Sequence, residues 1–385
     1  MVKVVKFGGS SLASAGQFAK AGDIIRSEES RRYVVPSAPG KRNAKDIKVT
    51  DMLYACYAAA EAEEDFKLKL KKIKERYDAI INGLNLKLSL EAEFQKIAEN
   101  FQKKAGADYA ASRGEYLNGI IMASYLGYEF IDAAEVVFFD KNGEFEAEKT
   151  NKALSRRLKK SERAVIPGFY GAKEDGTVCT FSRGGSDITG SIVAKAAGAD
   201  VYENWTDVSG FLIADPRIIE NPEVIRVITY RELRELSYMG ATVLHEDAVF
   251  PVRKEGIPIN IRNTNQPDEK GTLIVESTCH HSKYTITGIA GKKGFVAVNI
   301  GFGRKVLSAF EQNGISFEHM PSGIDTMTVF VHQEEFEGKE QQVLSAIHRI
   351  AQPDTIDLEA DLALIAVVGR GMRSTRGTVP CKCKC

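Results

Sequence analysis

Apolar residues in the first half of the chain follow two alternating rhythms. Short unbroken runs, Val2 to Phe7, Tyr33 to Val35, Phe130-Ile131 and Ala164 to Ile166, have the length and β-branched content of buried strands. Between them apolar positions recur at helical spacing. The Ala-rich segment 51–62 is one such stretch, and 66–81 places Leu70, Ile73, Tyr77 and Ile81 on one face. Further helices are predicted over 108–126, 186–197 and 230–239, and a strand over 177–181. Strands alternating with helices predict an α/β sandwich built on a largely parallel sheet.

The rhythm changes near residue 280. A turn cluster, Asn265-Gln-Pro-Asp-Glu-Lys-Gly271, precedes a short strand at 272–275 and a polar linker at 277–283. Compact β-α-β units follow: a strand over 295–300, a helix over 304–313, two strands within 315–331 joined by the Pro321-Ser-Gly turn, a helix over 338–351 and a strand over 362–368. This divides the chain into domains 1–278 and 279–385.

Composition narrows the classes. The 385 residues are 43% hydrophobic and 27% charged, enough for two or three real cores. The 52 basic residues balance the 52 acidic ones, which argues against nucleic-acid binding by bulk charge. The lysines at 67, 69, 71, 72 and 74 then read as a solvated helix face. No stretch approaches the roughly 18 apolar residues of a membrane span, and the N-terminus lacks a signal-peptide pattern. Cys56, Cys179 and Cys279 are scattered and three cysteines crowd the last five residues, so no disulfide framework is expected and the compartment reads as cytoplasmic.

Several motifs are absent: a GxxxxGK[ST] phosphate loop, an HExxH zinc helix and a GxSxG elbow. Three blocks remain. Lys6-Phe-Gly8-Gly9-Ser10-Ser11 follows the first strand, where paired glycines let backbone N–H groups approach phosphate oxygens and the lysine adds a cation. Ser182-Arg183-Gly184-Gly185-Ser186-Asp187 opens a helix, with Arg183 able to clamp a carboxylate bidentately. Asp187, in the first helical turn, either complements the dipole or orients a lysine or an amine. The third block, Trp205-Thr206-Asp207-Val-Ser-Gly210 leading to Asp215-Pro-Arg217, offers groups for a nucleotide. Two glycine loops bearing a cation and a carboxylate point to phosphoryl transfer onto a small acid. A catalytic histidine is not required, because the attacking carboxylate is already ionised; His245 reads as a packed core residue.

In this order and spacing the blocks resemble the aspartate kinases of the amino-acid kinase family, with SAPGKR, SRGEYLNG and MGATVLH between them. The resemblance runs from residue 2 to about 370. It implies a three-layer αβα sandwich with a mostly parallel central sheet, followed by ferredoxin-like βαββαβ ACT regulatory units. The first unit spans about 295–361 and is inserted in an incomplete second one. It implies ATP-dependent phosphorylation of the L-aspartate β-carboxylate to 4-phospho-L-aspartate with Mg²⁺, a step towards lysine, threonine and methionine. The two competitors are another amino-acid kinase with a different acidic acceptor, and an effector-binding protein with an inactive kinase fold.

Carried over by position, the resemblance implies that Lys6 and Asp187 are catalytic and that Gly8, Gly9 and Ser10 surround the transferred phosphoryl group. Ser37, Thr50, Glu115, Arg183 and Ser186 would bind the substrate, Arg183 through the α-carboxylate and Glu115 on the amine side. Thr206, Asp207, Leu212, Arg217, Thr242 and Val243 would bind the nucleotide, with Thr242 standing where many relatives have a lysine and Arg217 offered as the compensating charge. Glu318, Ser322 and Gly323 would line an effector pocket for lysine or threonine, and pairing of ACT units implies a homodimer or larger assembly. The loop before Arg304 is shorter than in relatives, and the second ACT unit stops short, giving way to Cys381-Lys-Cys383-Lys-Cys385. Weak or absent feedback inhibition is the expectation from those two departures.

Overall fold

A computed structural model describes residues 1–182, 184–240, 244, 248–278, 285–301 and 305–373. It divides into two compact units: residues 1–234 with 242–287, and residues 235–241 with 288–385. The Cys381–Cys385 tail, the Arg304 helix start, most of the 277–283 linker, Arg183, Thr242, Val243 and His245 lie outside the described residues.

Among the described residues the first unit contains ten strands, β1 (Lys3–Phe7), β2 (Arg31–Pro36), β3 (Glu129–Phe130), β4 (Ala164–Val165), β5 (Tyr170–Ala172), β6 (Val178–Thr180), β7 (Val201–Thr206), β8 (Val227–Thr229), β9 (Ile259–Asn263) and β10 (Thr272–Val275). Eight of them form one sheet in the order β3-β4-β2-β1-β7-β9-β10-β8. Every pairing in it is parallel except β9 with β10. β5 and β6 form a separate hairpin. β1 sits at the centre because Val4, Val5 and Phe7 are apolar on both faces and fully buried, as a strand covered by helices requires.

Helices Ala15–Arg26, Val49–Glu61, Lys67–Gly83, Glu91–Gln102 and Ala107–Leu126 supply most of one large core around Phe18, Leu53, Tyr77, Phe101, Leu117 and Trp205. The Val49–Glu61, Lys67–Gly83 and Ala107–Leu126 helices coincide with the spacing read from sequence to within a few residues. Helix Glu91–Gln102 was not foreseen, although Phe94, Ile97 and Phe101 recur at helical spacing and Glu91 and Glu93 load its first turn. Helix Ala147–Leu158 was also missed. Its sequence is strongly polar, and only Thr150, Leu154 and Leu158 are buried.

The second unit is a four-stranded antiparallel sheet, ordered β12-β13-β11-β14, made of β11 (Gly288–Gly301), β12 (Phe317–His319), β13 (Thr326–His332) and β14 (Ile356–Val368). Helices Val306–Gln312 and Glu340–Ala351 pack on it through Phe310, Val343 and Ile347, in the manner of ACT-like ferredoxin units. Both long strands exceed the expected spans of 295–300 and 362–368. The extra residues 288–293 of β11 pair with 363–368 of β14, so the ladder continues past the ferredoxin-like core. Among the described residues no helix is long and apolar enough to cross a membrane.

Candidate active site

β1 ends at Phe7, and the chain turns at once into Gly8-Gly9. The Gly8 N–H donates to the Trp205 carbonyl (2.9 Å), which extends the β1–β7 ladder by one bond and fixes where the loop begins. A short 3₁₀ turn, Ser10–Leu12, follows. Its Ser11 hydroxyl is buried against Thr264 (2.7 Å), while Ser10 is half-buried.

The second loop, after β2, lies directly on the first. The Gly40 N–H donates to the Gly9 carbonyl (2.8 Å). A Cβ added at Gly40 would sit 2.6 Å from the Gly9 carbonyl carbon. Only glycine allows this approach of backbone to backbone. Arg76 anchors the rest of the loop by donating to the carbonyls of Gly40 (2.8 Å) and Ile47 (3.0 Å) and pairing with Asp46 (3.1 Å). Arg42, donating to Asp46 from within the loop, holds that carboxyl well below the usual range.

Lys6 is the last polar residue of β1 and is 7% exposed. Its Nζ lies 2.5 Å from Asp187 Oδ1. Asp187 occupies the first turn of helix Gly185–Ala197, which Gly184 opens in the left-handed conformation (φ 62°). The same Asp187 oxygen accepts from Asn204 Nδ2 (2.7 Å), and Tyr202 donates its hydroxyl to the Asp187 carbonyl (3.1 Å). Nothing in the sequence pattern singled out Asn204; its position opposite Lys6 in the β1–β7 register is what makes it a neighbour of the pair.

Glu115 comes from the Ala107–Leu126 helix and is 5% exposed. Burial pushes its carboxyl up to about 7, against the lowering effect of the Ala38 and Glu115 backbone N–H groups, Lys6 and the Ser186 hydroxyl. Among the described residues its Oε2 and the nearby Asn118 Oδ1 are buried without a hydrogen-bond partner. Asn118 Nδ2 donates to the Ser37 carbonyl (2.6 Å), and the Ser37 N–H donates to the Phe7 carbonyl (3.0 Å). Thr50 Oγ1 lies 3.8 Å from where a Cβ on Gly114 would be. Lys6, Gly8, Gly9, Ser10, Ser37, Thr50, Glu115, Ser186 and Asp187 therefore gather at one end of the sheet, around an ion pair and a buried carboxyl.

Residues 1–263 match the Amino acid kinase family. Aspartokinase 3 of Bacillus subtilis is 38% identical over 404 residues, covering 98% of this chain and 88% of the relative. The chain belongs to the amino acid kinase family, among its aspartokinases. The crystal structure of Clostridium acetobutylicum aspartate kinase superposes with a TM-score of 0.91 at 49% identity, over 98% of this chain and 89% of that one. That of Escherichia coli aspartokinase III with aspartate and ADP shares the fold at 22% identity and a TM-score of 0.72, over 98% and 90% of the two chains.

In this aspartokinase the third sequence block continues from the β7 end. Thr206 donates to Asp207 Oδ1 (3.2 Å), and Leu212 bridges Val224. Arg217 is turned to solvent, 86% exposed, and forked onto Asp215 (2.6 Å). The expected compensation by Arg217 thus starts from a guanidinium already engaged by its own turn. Beneath the glycine loop lies Trp205, 1% exposed and stacked on Phe7 at 6.0 Å between ring centroids. Its indole N–H donates to Glu203 (2.9 Å), and Arg262 lies 4.5 Å over its ring. Burial raises the Glu203 carboxyl, but Arg31, Lys3 and the indole N–H outweigh it and hold the group below its ordinary value.

In the second unit Glu318 Oε1 lies 2.6 Å from His332 Nε2, and Tyr238 donates to the Glu318 carbonyl (3.1 Å). Ser322 bridges Met327, and the Gly323 N–H donates to Thr326 (2.8 Å). Of the three proposed effector residues, Glu318 therefore lies in β12, and Ser322 and Gly323 lie in the connection from β12 to β13.

Proposed function

We propose that this chain transfers the γ-phosphoryl group of ATP to the β-carboxylate of L-aspartate, giving 4-phospho-L-aspartate and ADP, an early step of amino-acid biosynthesis. The observation that carries the site assignment is the ion pair between buried Lys6 and half-buried Asp187 at the meeting of two glycine loops, with the buried Glu115 carboxyl nearby. A β-carboxylate oxygen attacks phosphorus, the new P–O bond forms in line with the breaking bond to the β-phosphate oxygen, and ADP leaves with that electron pair. No base is needed; what the reaction requires is positioning and neutralisation of charge on the equatorial oxygens. Lys6 supplies the cation, and the N–H groups of the Gly8-Gly9-Ser10 loop supply fixed dipoles. Asp187 fixes the direction of the Lys6 ammonium.

For the acceptor, Arg183 grips the α-carboxylate and Glu115 takes the α-ammonium, with Ser37, Thr50 and Ser186 completing the pocket. Thr206, Asp207, Leu212, Arg217, Thr242 and Val243 hold the nucleotide. Mg²⁺ arrives with the nucleotide as MgATP. In that complex the ion is held chiefly by phosphate oxygens. Residues 1–278 form the catalytic domain and 279–385 the ACT-type regulatory region, with Glu318, Ser322 and Gly323 as the effector positions for lysine or threonine and with feedback inhibition weak or absent.

Trapping the acyl phosphate with hydroxylamine tests the reaction directly. Hydroxamate formation should require ATP, Mg²⁺ and L-aspartate together, with matching ADP release. Equal rates with glutamate or another acid would refute the aspartate assignment, and ADP release without hydroxamate would refute acyl transfer.

A further inference from the structure

We propose that Asn204 is a positioning residue of the phosphoryl-transfer site: its side-chain amide locks the Asp187 carboxylate in the one orientation that places the Lys6 ammonium at the glycine loop. The inference rests on the reading of Lys6 and Asp187 given above and adds to it a residue that reading does not contain. Asn204 is 4% exposed and lies on β7 directly opposite Lys6 of β1. Its Nδ2 is 2.7 Å from Asp187 Oδ1, the oxygen that also meets Lys6 Nζ at 2.5 Å. A carboxylate only accepts hydrogen bonds, so the NH₂ end of the amide is the end that faces it. Both donors therefore converge on one oxygen, and rotation of the carboxylate about its last bond would break two bonds at once. The Asp187 carbonyl is held separately by the Tyr202 hydroxyl, so backbone and side chain of Asp187 are fixed from the same strand.

An alternative role, filling space in the sheet, does not use the amide. β9 offers Ile261 as the neighbour of Asn204 on the other side, and Ile261 is fully buried and apolar. An apolar residue would suit that surrounding better, because an amide in such a place costs free energy unless it is paired. The pairing it has is with Asp187. The titratable groups facing this spot are Lys6 from β1, Asp187 from helix Gly185–Ala197 and Tyr202 from β7; Glu115 acts on it through Lys6.

Two near-isosteric variants separate the roles, with kcat, both KM values and thermal unfolding measured from pH 6 to 9. Asn204→Leu should lower kcat about 10- to 100-fold, the scale of one hydrogen bond to a charged group, and leave the KM values for aspartate and MgATP within about twofold. Asn204→Asp should behave differently. A carboxyl this close to the Asp187 carboxylate ionises only at raised pH; protonated, the new acid donates to Asp187 as the amide does, and ionised, it repels Asp187 and competes for Lys6. Its activity should therefore fall as pH rises, with a slope the parent lacks. Parental kcat in Asn204→Leu, parallel changes in kcat and both KM values, or a parental pH profile in Asn204→Asp would each overturn the proposal. If Asn204→Leu does not fold, Asn204→Asp decides alone. Failure of Asn204→Asp to fold even at pH 6, where the neutral acid can make the same bond, also overturns it. A parent chain inactive towards aspartate would instead strike at the reaction proposed above, before any variant is compared.

Discussion

At the residue scale, Lys6→Ala is expected to lower turnover by about 10²- to 10³-fold while the aspartate KM changes little, since the ammonium acts on charge that develops during transfer. Steady-state kinetics with both substrates would check this, and near-parental kcat would remove Lys6 from the mechanism. Glu115 gives a pH signature. Its carboxyl, pushed up to about 7 by burial, is largely neutral below that pH and ionised above it. Only the ionised form attracts an ammonium, so kcat/KM for aspartate should rise as pH increases through about 7. Glu115→Gln should abolish that rise and weaken aspartate binding at pH 8 more than at pH 6. The Glu115 block was legible in the sequence only through its resemblance to a family. The polar atoms that make it a site, buried Oε2 and the Asn118 amide beside it, come together through tertiary packing. Asn204 was illegible for the same reason: it reaches Asp187 across 17 residues of chain, and no local spacing announces that distance.

At the scale of elements, the glycine loops after β1 and β2 behave as one object. Gly40→Ala should force the two backbones apart, because the new Cβ would fall 2.6 Å from a backbone carbon that cannot rotate away. Overpacking of this kind costs about 1–3 kcal/mol, and here the strain falls on the phosphate cradle. Turnover should drop at least tenfold with a modest fall in Tm, measurable by kinetics and scanning calorimetry; a parental rate would mean that the loops move independently. The elements themselves were largely readable from apolar rhythm. β1 and β2 announce themselves as unbroken buried runs, and helix Ala107–Leu126 by its length. What escaped was weakly patterned: helix Ala147–Leu158, which rests on three buried positions, and the first half of β14, where acidic residues at 357, 359 and 361 alternate with exposed apolar ones. That strand holds through its ladder with β11, a partner more than fifty residues away.

At the scale of the whole molecule, β14 is the terminal strand of its sheet among the described residues, with Leu358 44% and Ile365 69% exposed. Strand edges with apolar side chains seek partners, and a second copy of this chain is the occupant expected here. Ile365→Lys should shift the protein towards monomer in sedimentation velocity, with the hydroxamate activity of the catalytic unit retained; an unchanged sedimentation coefficient would place the interface elsewhere. The arrangement around β7 has a different kind of consequence. Trp205 is the single tryptophan in 385 residues, so the indole emission of the entire protein originates beneath the glycine loop. A dry, stacked indole should emit at short wavelength, and cationic neighbours make its intensity sensitive to small displacements. The chain therefore carries a built-in optical probe: titrating MgATP into unlabelled protein and watching that one signal would report arrival at the phosphate cradle, separately from any turnover.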